Sequence, residues 1–141
     1  MIALWVASHY FRRPLRYIGF GGQGKQVRDV LHIEDLCDLI ADQLERFDLY
    51  AGGLFNAGGG AACTVSLQEL TAVCEEITGN RIPIAGDPAT RPADLRLFVT
   101  DHRRLTALGG WRPHRDVRTA AANICDWIRR EEMVLRPLLG Q

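Results

Sequence analysis

Residues 19–24 read Gly19-Phe20-Gly21-Gly22-Gln23-Gly24, and no other stretch limits the fold of this 141-residue chain as strongly. Glycine readily takes left-handed backbone and weakens the interior of regular elements, so neither a helix nor a strand is expected to run through the segment. The fold must therefore be assembled from short elements on either side. Leu15-Arg16-Tyr17-Ile18 alternates like a strand, and residues 27–33 are β-branched and short enough for a second. The glycine run between them reads as a tight hairpin, and Glu34-Asp35 mark the end of the second strand.

The remaining punctuation gives a mixed α/β order. Residues 2–11 form a short helix that stops before Arg12-Arg13-Pro14, because proline forces its predecessor out of helical backbone. Leu36, Leu39, Ile40, Leu44 and Phe47 fall on one helical face, which predicts an amphipathic helix over 35–47. A strand is expected at 53–57, closed by Gly58-Gly59-Gly60. Ser66-Leu67-Gln68-Glu69 is a capping box opening a helix with Leu67, Leu70, Cys74 and Ile77 inward and Gly79 as its stop. Residues 81–84 and 95–99 are extended, with turn chemistry at Gly86-Asp87-Pro88. Asp101 caps a short helix through Leu108, and a last helix covers 116–132.

Composition places the chain among ordinary folded domains. It has 17 basic and 17 acidic residues, 47% hydrophobic residues and 24% charged residues, a balance that excludes disorder and offers no electrostatic pull on nucleic acid or anionic lipid. One domain over residues 1–141 is expected. No apolar run approaches the length of a membrane span and the N-terminus lacks a signal-peptide pattern, so a cytoplasmic location is expected. Cys37, Cys63, Cys74 and Cys125 are scattered without Cys-x-x-Cys or nearby histidines, which favours reduced core thiols over zinc or disulfides. Lys25 is the only lysine, so any lysine-dependent chemistry must use it.

Two motifs are matched in form only. Gly19-x-Gly21-x-x-Gly24 fits the dinucleotide-binding pattern, and Gly19-x-x-x-x-Gly24-Lys25 falls one residue short of a P-loop, with Gln26 where the magnesium-binding hydroxyl belongs. Both need a helix immediately after the glycines, and a strand is expected there instead.

Several ordered blocks carry more information. Arg13-Pro14-Leu15, Gly19-Phe20-Gly21-Gly22, and the run from Lys25-Gln26-Val27-Arg28-Asp29 through His32-Ile33-Glu34-Asp35-Leu36 come first. Phe55-Asn56-Ala57-Gly58-Gly59-Gly60, Ser66-Leu67-Gln68-Glu69-Leu70, Arg91-Pro92-Ala93-Asp94, Asp101 and Leu108-Gly109-Gly110-Trp111-x-Pro113 follow. Together they resemble the C-terminal part of extended short-chain dehydrogenase/reductases, the NAD-dependent nucleotide-sugar epimerases and dehydratases, with wording most similar to the CDP-tyvelose (CDP-paratose) 2-epimerase branch. The resemblance implies the substrate-binding portion of a Rossmann-type enzyme, without the dinucleotide-binding half. It also implies NAD as cofactor of the intact family enzyme, with none bound by this part. The family's Tyr-x-x-x-Lys pair is absent: four residues after Tyr10, Tyr17 and Tyr50 stand Pro14, Gly21 and Leu54. No catalytic residue and no metal ligand is assigned.

By the same resemblance, Arg28 matches an arginine that holds the substrate diphosphate. Arg91 and Asp94 match an Arg-x-x-Asp motif acting on phosphate and ribose, and Phe98 stands where some relatives carry tyrosine. The chemistry is apt, because a guanidinium fork binds phosphate oxygens in pairs and a carboxylate accepts from vicinal hydroxyls. Each residue also has a structural reading: Arg28 as an ion-pair partner of Asp29 or Asp94, Arg91 as a solvated loop side chain, Asp94 as a turn residue. His32 reads as a core or edge-strand histidine, and Arg129-Arg130-Glu131-Glu132 as a solvated helix face.

The expected partner is a nucleotide-diphosphate sugar, with either a homo-oligomer or a missing N-terminal half completing the molecule. Trp5, Tyr10 and Phe11 are expected where that half would pack, with the first helix buried at a subunit contact. Residues 54–57 would offer an unpaired strand edge. The competing readings are a non-enzymatic oligomeric anion-binding or assembly module, and a P-loop hydrolase working through Lys25.

Overall fold

The apolar run Ile2–Tyr10 forms helix α1, and its end is set by Arg12, whose left-handed backbone (φ 57°) lets the Arg13 amide reach back to the Ser8 carbonyl at 2.7 Å. The chain is seen here in a computed structural model that describes residues 1–140, and it divides into two units. The first holds residues 1–27, 66–97 and the segment from Arg118 on; the second holds 28–65 and 98–117. The fold is mixed α/β.

In the first unit, α1 is followed by strand β1 (Leu15–Ile18). β1 pairs in parallel with β4 (Ile84–Asp87), Leu15 opposite Ile84 and Ile18 opposite Asp87. Helix α4 (Leu67–Thr78) packs on α1; α6 (Val117–Arg130) and α7 (Glu132–Leu139) follow later in the chain. The core draws on Val6 from α1, Leu70 and Cys74 from α4, and Ala121, Cys125 and Ile128 from α6. Trp5 donates its indole N–H to Thr71 Oγ1 at 3.0 Å and stacks on Tyr17, whose hydroxyl bonds the same Thr71 oxygen. Trp5 is therefore a core residue of its own unit, 5% exposed, which corrects its expected place at a docking surface. Tyr10 is likewise engaged, donating to Glu132 Oε2 at 2.7 Å, so part of the charged 129–132 face has a specific partner.

α4 opens as its sequence dictates. Ser66 Oγ accepts from the Glu69 amide at 3.1 Å, the Glu69 carboxylate accepts from the Ser66 amide at 2.8 Å, and Gly79 ends the helix at φ 70°. The Ser66 N–H holds the Glu69 carboxyl below its ordinary range. Ser66→Ala should lower stability by about 1 kcal/mol, read by urea unfolding.

Three strands, β2 (Val27–Asp29), β3 (Thr64–Ser66) and β5 (Leu97–Phe98), pair in the order β3-β2-β5. β1 thus pairs with β4 and not with β2, and the glycine run is no hairpin. β2 is also shorter than expected. His32 leaves the strand to cap helix α2 (Ile33–Glu45), its imidazole Nδ1 accepting from the Glu34 amide at 3.2 Å.

In the second unit, α2 is followed by α3 (Phe47–Tyr50), and α5 (Arg103–Gly109) comes later. Leu39, Tyr50, Leu105 and Trp111 form the core, with Leu31, Leu36 and Phe55 against it. The face expected to be buried on α2 is only partly so: Leu39 is buried, whereas Ile40, Leu44 and Phe47 are exposed. Nor do residues 53–57 form a strand. The Leu54 carbonyl accepts from the Arg104 guanidinium at 3.0 Å instead of from a ladder N–H, and Phe55 stands edge-on to Tyr50. His102 and not Asp101 stands at the N-cap of α5; Asp101 lies one residue earlier, where its carboxylate accepts from the Arg103 amide at 3.0 Å. Three cysteines are core thiols, burial pushing Cys74 up to about 12, while Cys37 is exposed. No helix among the described residues is long and apolar enough to cross a membrane.

Candidate functional site

The glycine run leaves β1 through four successive residues of positive φ: Gly19 (88°), Phe20 (50°), Gly21 (83°) and Gly22 (69°). Such a path is open to glycine and strained for other residues. It is held at the end of β4, where the Gly19 amide donates to the Asp87 carbonyl at 2.7 Å and the Gly22 amide closes back on the Gly19 carbonyl at 2.9 Å. Gly22 lies so close to β4 that a Cβ would stand 2.8 Å from the Asp87 nitrogen and 2.9 Å from the Gly86 Cα. The two backbones touch without intervening side chains.

This contact places the loop after β4. The Phe20 amide donates to Thr90 Oγ1 at 3.0 Å. Arg91 and Asp94 then share one turn, in which the Asp94 amide donates to the Arg91 carbonyl at 3.2 Å and Ala93 takes φ 63°. Asp94 Oδ2 lies 3.8 Å from the point where a Cβ on Gly19 would sit. An exposed guanidinium and a half-buried carboxylate are thus carried three residues apart on a turn fixed to the glycine run. Such a pair suits a ligand that offers both phosphate oxygens and hydroxyl groups.

Arg28 and Phe98 belong to the second unit, on the neighbouring strands β2 and β5. Arg28 is half-buried and Phe98 is 50% exposed. Beside Arg28, Asp29 accepts from the Gly60 amide at 3.0 Å and so braces the 58–60 glycine loop. That loop tolerates no side chain, since a Cβ on Gly59 would fall 2.0 Å from the Val30 carbonyl oxygen.

Two cavities in the second unit, about 500 and 370 Å³, include none of the four expected residues. Their charged groups are already committed: Arg104 lies over the Phe55 ring and donates to Leu54, and Asp101 is held far below the usual carboxylate range by Arg103. The sequence reading missed Thr90, whose only signal was a hydroxyl one residue before Arg91. It also missed Gln26, which is buried and donates to the Ile18 carbonyl at 2.8 Å.

The glycine run does not fit a dinucleotide or nucleoside triphosphate. A strand and not a helix follows it in the chain, its Gly24 carbonyl accepts from the Gln68 amide in the first turn of α4 at 2.9 Å, and its backbone is packed on Gly86 and Asp87. The P-loop and Rossmann readings of residues 19–25 are thereby set aside.

No protein-family profile matches the chain. Individual relatives do. It is 34% identical over 106 residues to the CDP-paratose 2-epimerase of Salmonella typhi, covering 75% of this chain and 31% of that protein. It is 35% identical over 103 residues to the UDP-glucose 4-epimerase of Corynebacterium glutamicum, covering 68% and 29%. Among solved structures, the UDP-glucuronic acid 4-epimerase of Bacillus cereus in complex with UDP-glucuronic acid and NAD superposes with a TM-score of 0.77 at 20% identity, covering 92% of this chain and 40% of that one. The chain therefore spans under a third of the length of these curated relatives. Sequence and fold agree that it belongs to the extended short-chain dehydrogenase/reductase family of NAD-dependent nucleotide-sugar epimerases and dehydratases, corresponding to that family's C-terminal portion.

Proposed function

We propose that this chain is the nucleotide-sugar-binding portion of such an epimerase or dehydratase and that it does not turn over substrate alone. The observation that carries this reading is the turn that presents Arg91 and Asp94 together, tied through Thr90 to the glycine run. Arg91 binds diphosphate oxygens and Asp94 accepts from ribose hydroxyls; Arg28 and Phe98 are assigned to ligand contact by resemblance. Relatives solved with UDP-sugars and NAD support the ligand class. The sequence supplies no Tyr-x-x-x-Lys pair, and the glycine run offers no dinucleotide cradle. Binding without the oxidising cofactor and its acid/base pair positions a substrate but does not transform it.

The test is calorimetric titration with CDP, UDP and dTDP, using NAD as control. One nucleoside diphosphate should bind saturably, and Arg91→Ala should weaken it by about 10- to 100-fold, the loss of a charge-assisted phosphate contact. A folded chain that binds none of the three overturns the proposal. Equal affinity in wild type and Arg91→Ala removes Arg91 from the site.

A further inference from the structure

Among the described residues, three that are not glycine take positive φ: Arg12, Phe20 and Ala93. Arg12 closes the end of α1, a common use of such backbone. Phe20 (50°) and Ala93 (63°) close no helix; they sit in the two loops of the candidate site. Left-handed backbone is strained for both, and strain of this kind gathers at ligand clamps. The hydrogen bond from the Phe20 amide to Thr90 Oγ1 at 3.0 Å joins the two loops.

That bond uses only part of what Thr90 offers. A threonine hydroxyl has one proton to donate and two lone pairs to accept with. One lone pair takes the Phe20 N–H, and the proton meets no acceptor among the described residues. Thr90 is exposed, as are Ala89 and Arg91 on either side of it. Across from it stands Gly19, where a Cβ would lie 3.8 Å from Thr90 Oγ1 and 3.8 Å from Asp94 Oδ2. The hydroxyl and the carboxylate are therefore near neighbours across a side chain that Gly19 lacks, with Arg91 between them in the chain. An anion seated on Arg91 finds a donor whose direction is already set, because a β-branched side chain has few rotamers and the Phe20 amide occupies one face of its oxygen.

We propose that Thr90 is a further ligand-binding residue of this site, its hydroxyl accepting from the Phe20 amide and donating to a phosphate oxygen of the nucleoside diphosphate held by Arg91. The assignment rests on the nucleoside diphosphate reading of the Arg91–Asp94 turn. It adds that the glycine run takes part in phosphate recognition through one shared oxygen. Hydrogen bonds in a chain polarise one another, so a phosphate on the Thr90 proton strengthens the Phe20 bond behind it.

Calorimetric titration of wild type, Thr90→Val and Thr90→Ser with CDP, UDP and dTDP tests it. Valine keeps the shape and removes the hydroxyl, whereas serine keeps the hydroxyl. Whichever diphosphate the wild type binds should bind about 10-fold more weakly to Thr90→Val and within about twofold of wild type to Thr90→Ser. The far-UV spectrum should not change, because the side chain is exposed. Double variants tell a phosphate contact from a mere tether of the turn. The Thr90→Val loss should shrink to under about threefold in an Arg91→Ala background, where the phosphate is no longer held against position 90, and keep its full size in Asp94→Ala, which removes the ribose contact. A tether would lose its effect in both backgrounds. A wild type that binds none of the three removes the nucleotide site and the role of Thr90 with it. Equal binding by wild type and Thr90→Val, with Arg91→Ala still weakened, keeps the nucleotide site and overturns the role of Thr90 alone. A Thr90→Ser variant as weak as Thr90→Val, or a loss that shrinks in both double variants, overturns it equally.

Discussion

Asp35→Ala is expected to destabilise the chain by about 3 kcal/mol at neutral pH, the loss that follows when buried donors are left without their acceptor. Asp35 is 0% exposed, and its carboxylate accepts from the backbone amides of His114 and Arg115 at 3.2 and 3.1 Å and from the Arg115 guanidinium. Its own carbonyl accepts from the Trp111 indole at 3.1 Å. One acidic side chain thus joins the start of α2 to the segment that leads into α6. In the alanine variant Arg115 keeps Glu34 and Asp38, but the two amides lose their partner. Asp35→Asn, of nearly the same volume, should cost less because its carbonyl oxygen still accepts.

The same group makes the effect pH-dependent, with a definite sign. Burial alone raises the Asp35 carboxyl, but the hydrogen bonds from Arg115 and His114 outweigh it and hold the folded-state value below the ordinary one. A lowered folded value gives stability that is complete above the unfolded value, about 4, and is lost as pH falls through the folded one. Urea unfolding at pH 7 and pH 3 should therefore show a gap between wild type and Asp35→Ala that narrows in acid. A gap that stays constant or widens would mean that the carboxylate's charge contributes nothing.

Asp35 also marks where sequence reading stops. The pair Glu34-Asp35 reads as a strand end, and nothing in the spacing says that one of the two is buried, because its donors lie far along the chain at Trp111, His114 and Arg115. Locally determined features were legible: the Ser66–Glu69 box, the Gly79 stop and the β1 strand each depend on residues within a few positions. Pairing was not, since β1 chooses between β2 and β4 through contacts that no local pattern encodes. The α2 periodicity revealed an apolar helix but not which half met the core, and the two halves have different fates at Leu39 and Leu44. At the candidate site, the Arg91 and Asp94 spacing was visible as a motif. The backbone contact that fixes their turn was not, because it is made by glycines whose role depends on what lies opposite.

Gly22→Ala tests that contact and should cost about 3 kcal/mol, from roughly 1–2 for left-handed backbone plus the displacement of a packed strand. The atoms in the way, Asp87 N and Gly86 Cα, are backbone and cannot swing aside as a side chain would. Gly21→Ala is the matched control: its φ is also positive at 83°, yet nothing lies within 4 Å of the added Cβ, so it should lose only the conformational part. Urea unfolding of the two variants separates strain from close approach. The functional consequence follows from the same geometry. Pushing Gly22 off β4 disturbs Gly19 and Phe20, whose amides hold the Asp87 carbonyl and the Thr90 hydroxyl just ahead of Arg91. With both variants folded, nucleoside diphosphate affinity should fall several-fold further in Gly22→Ala than in Gly21→Ala. Equal affinities would show that the Arg91–Asp94 turn keeps its shape without the glycine run beneath it, and would detach the ligand site from the strand pair.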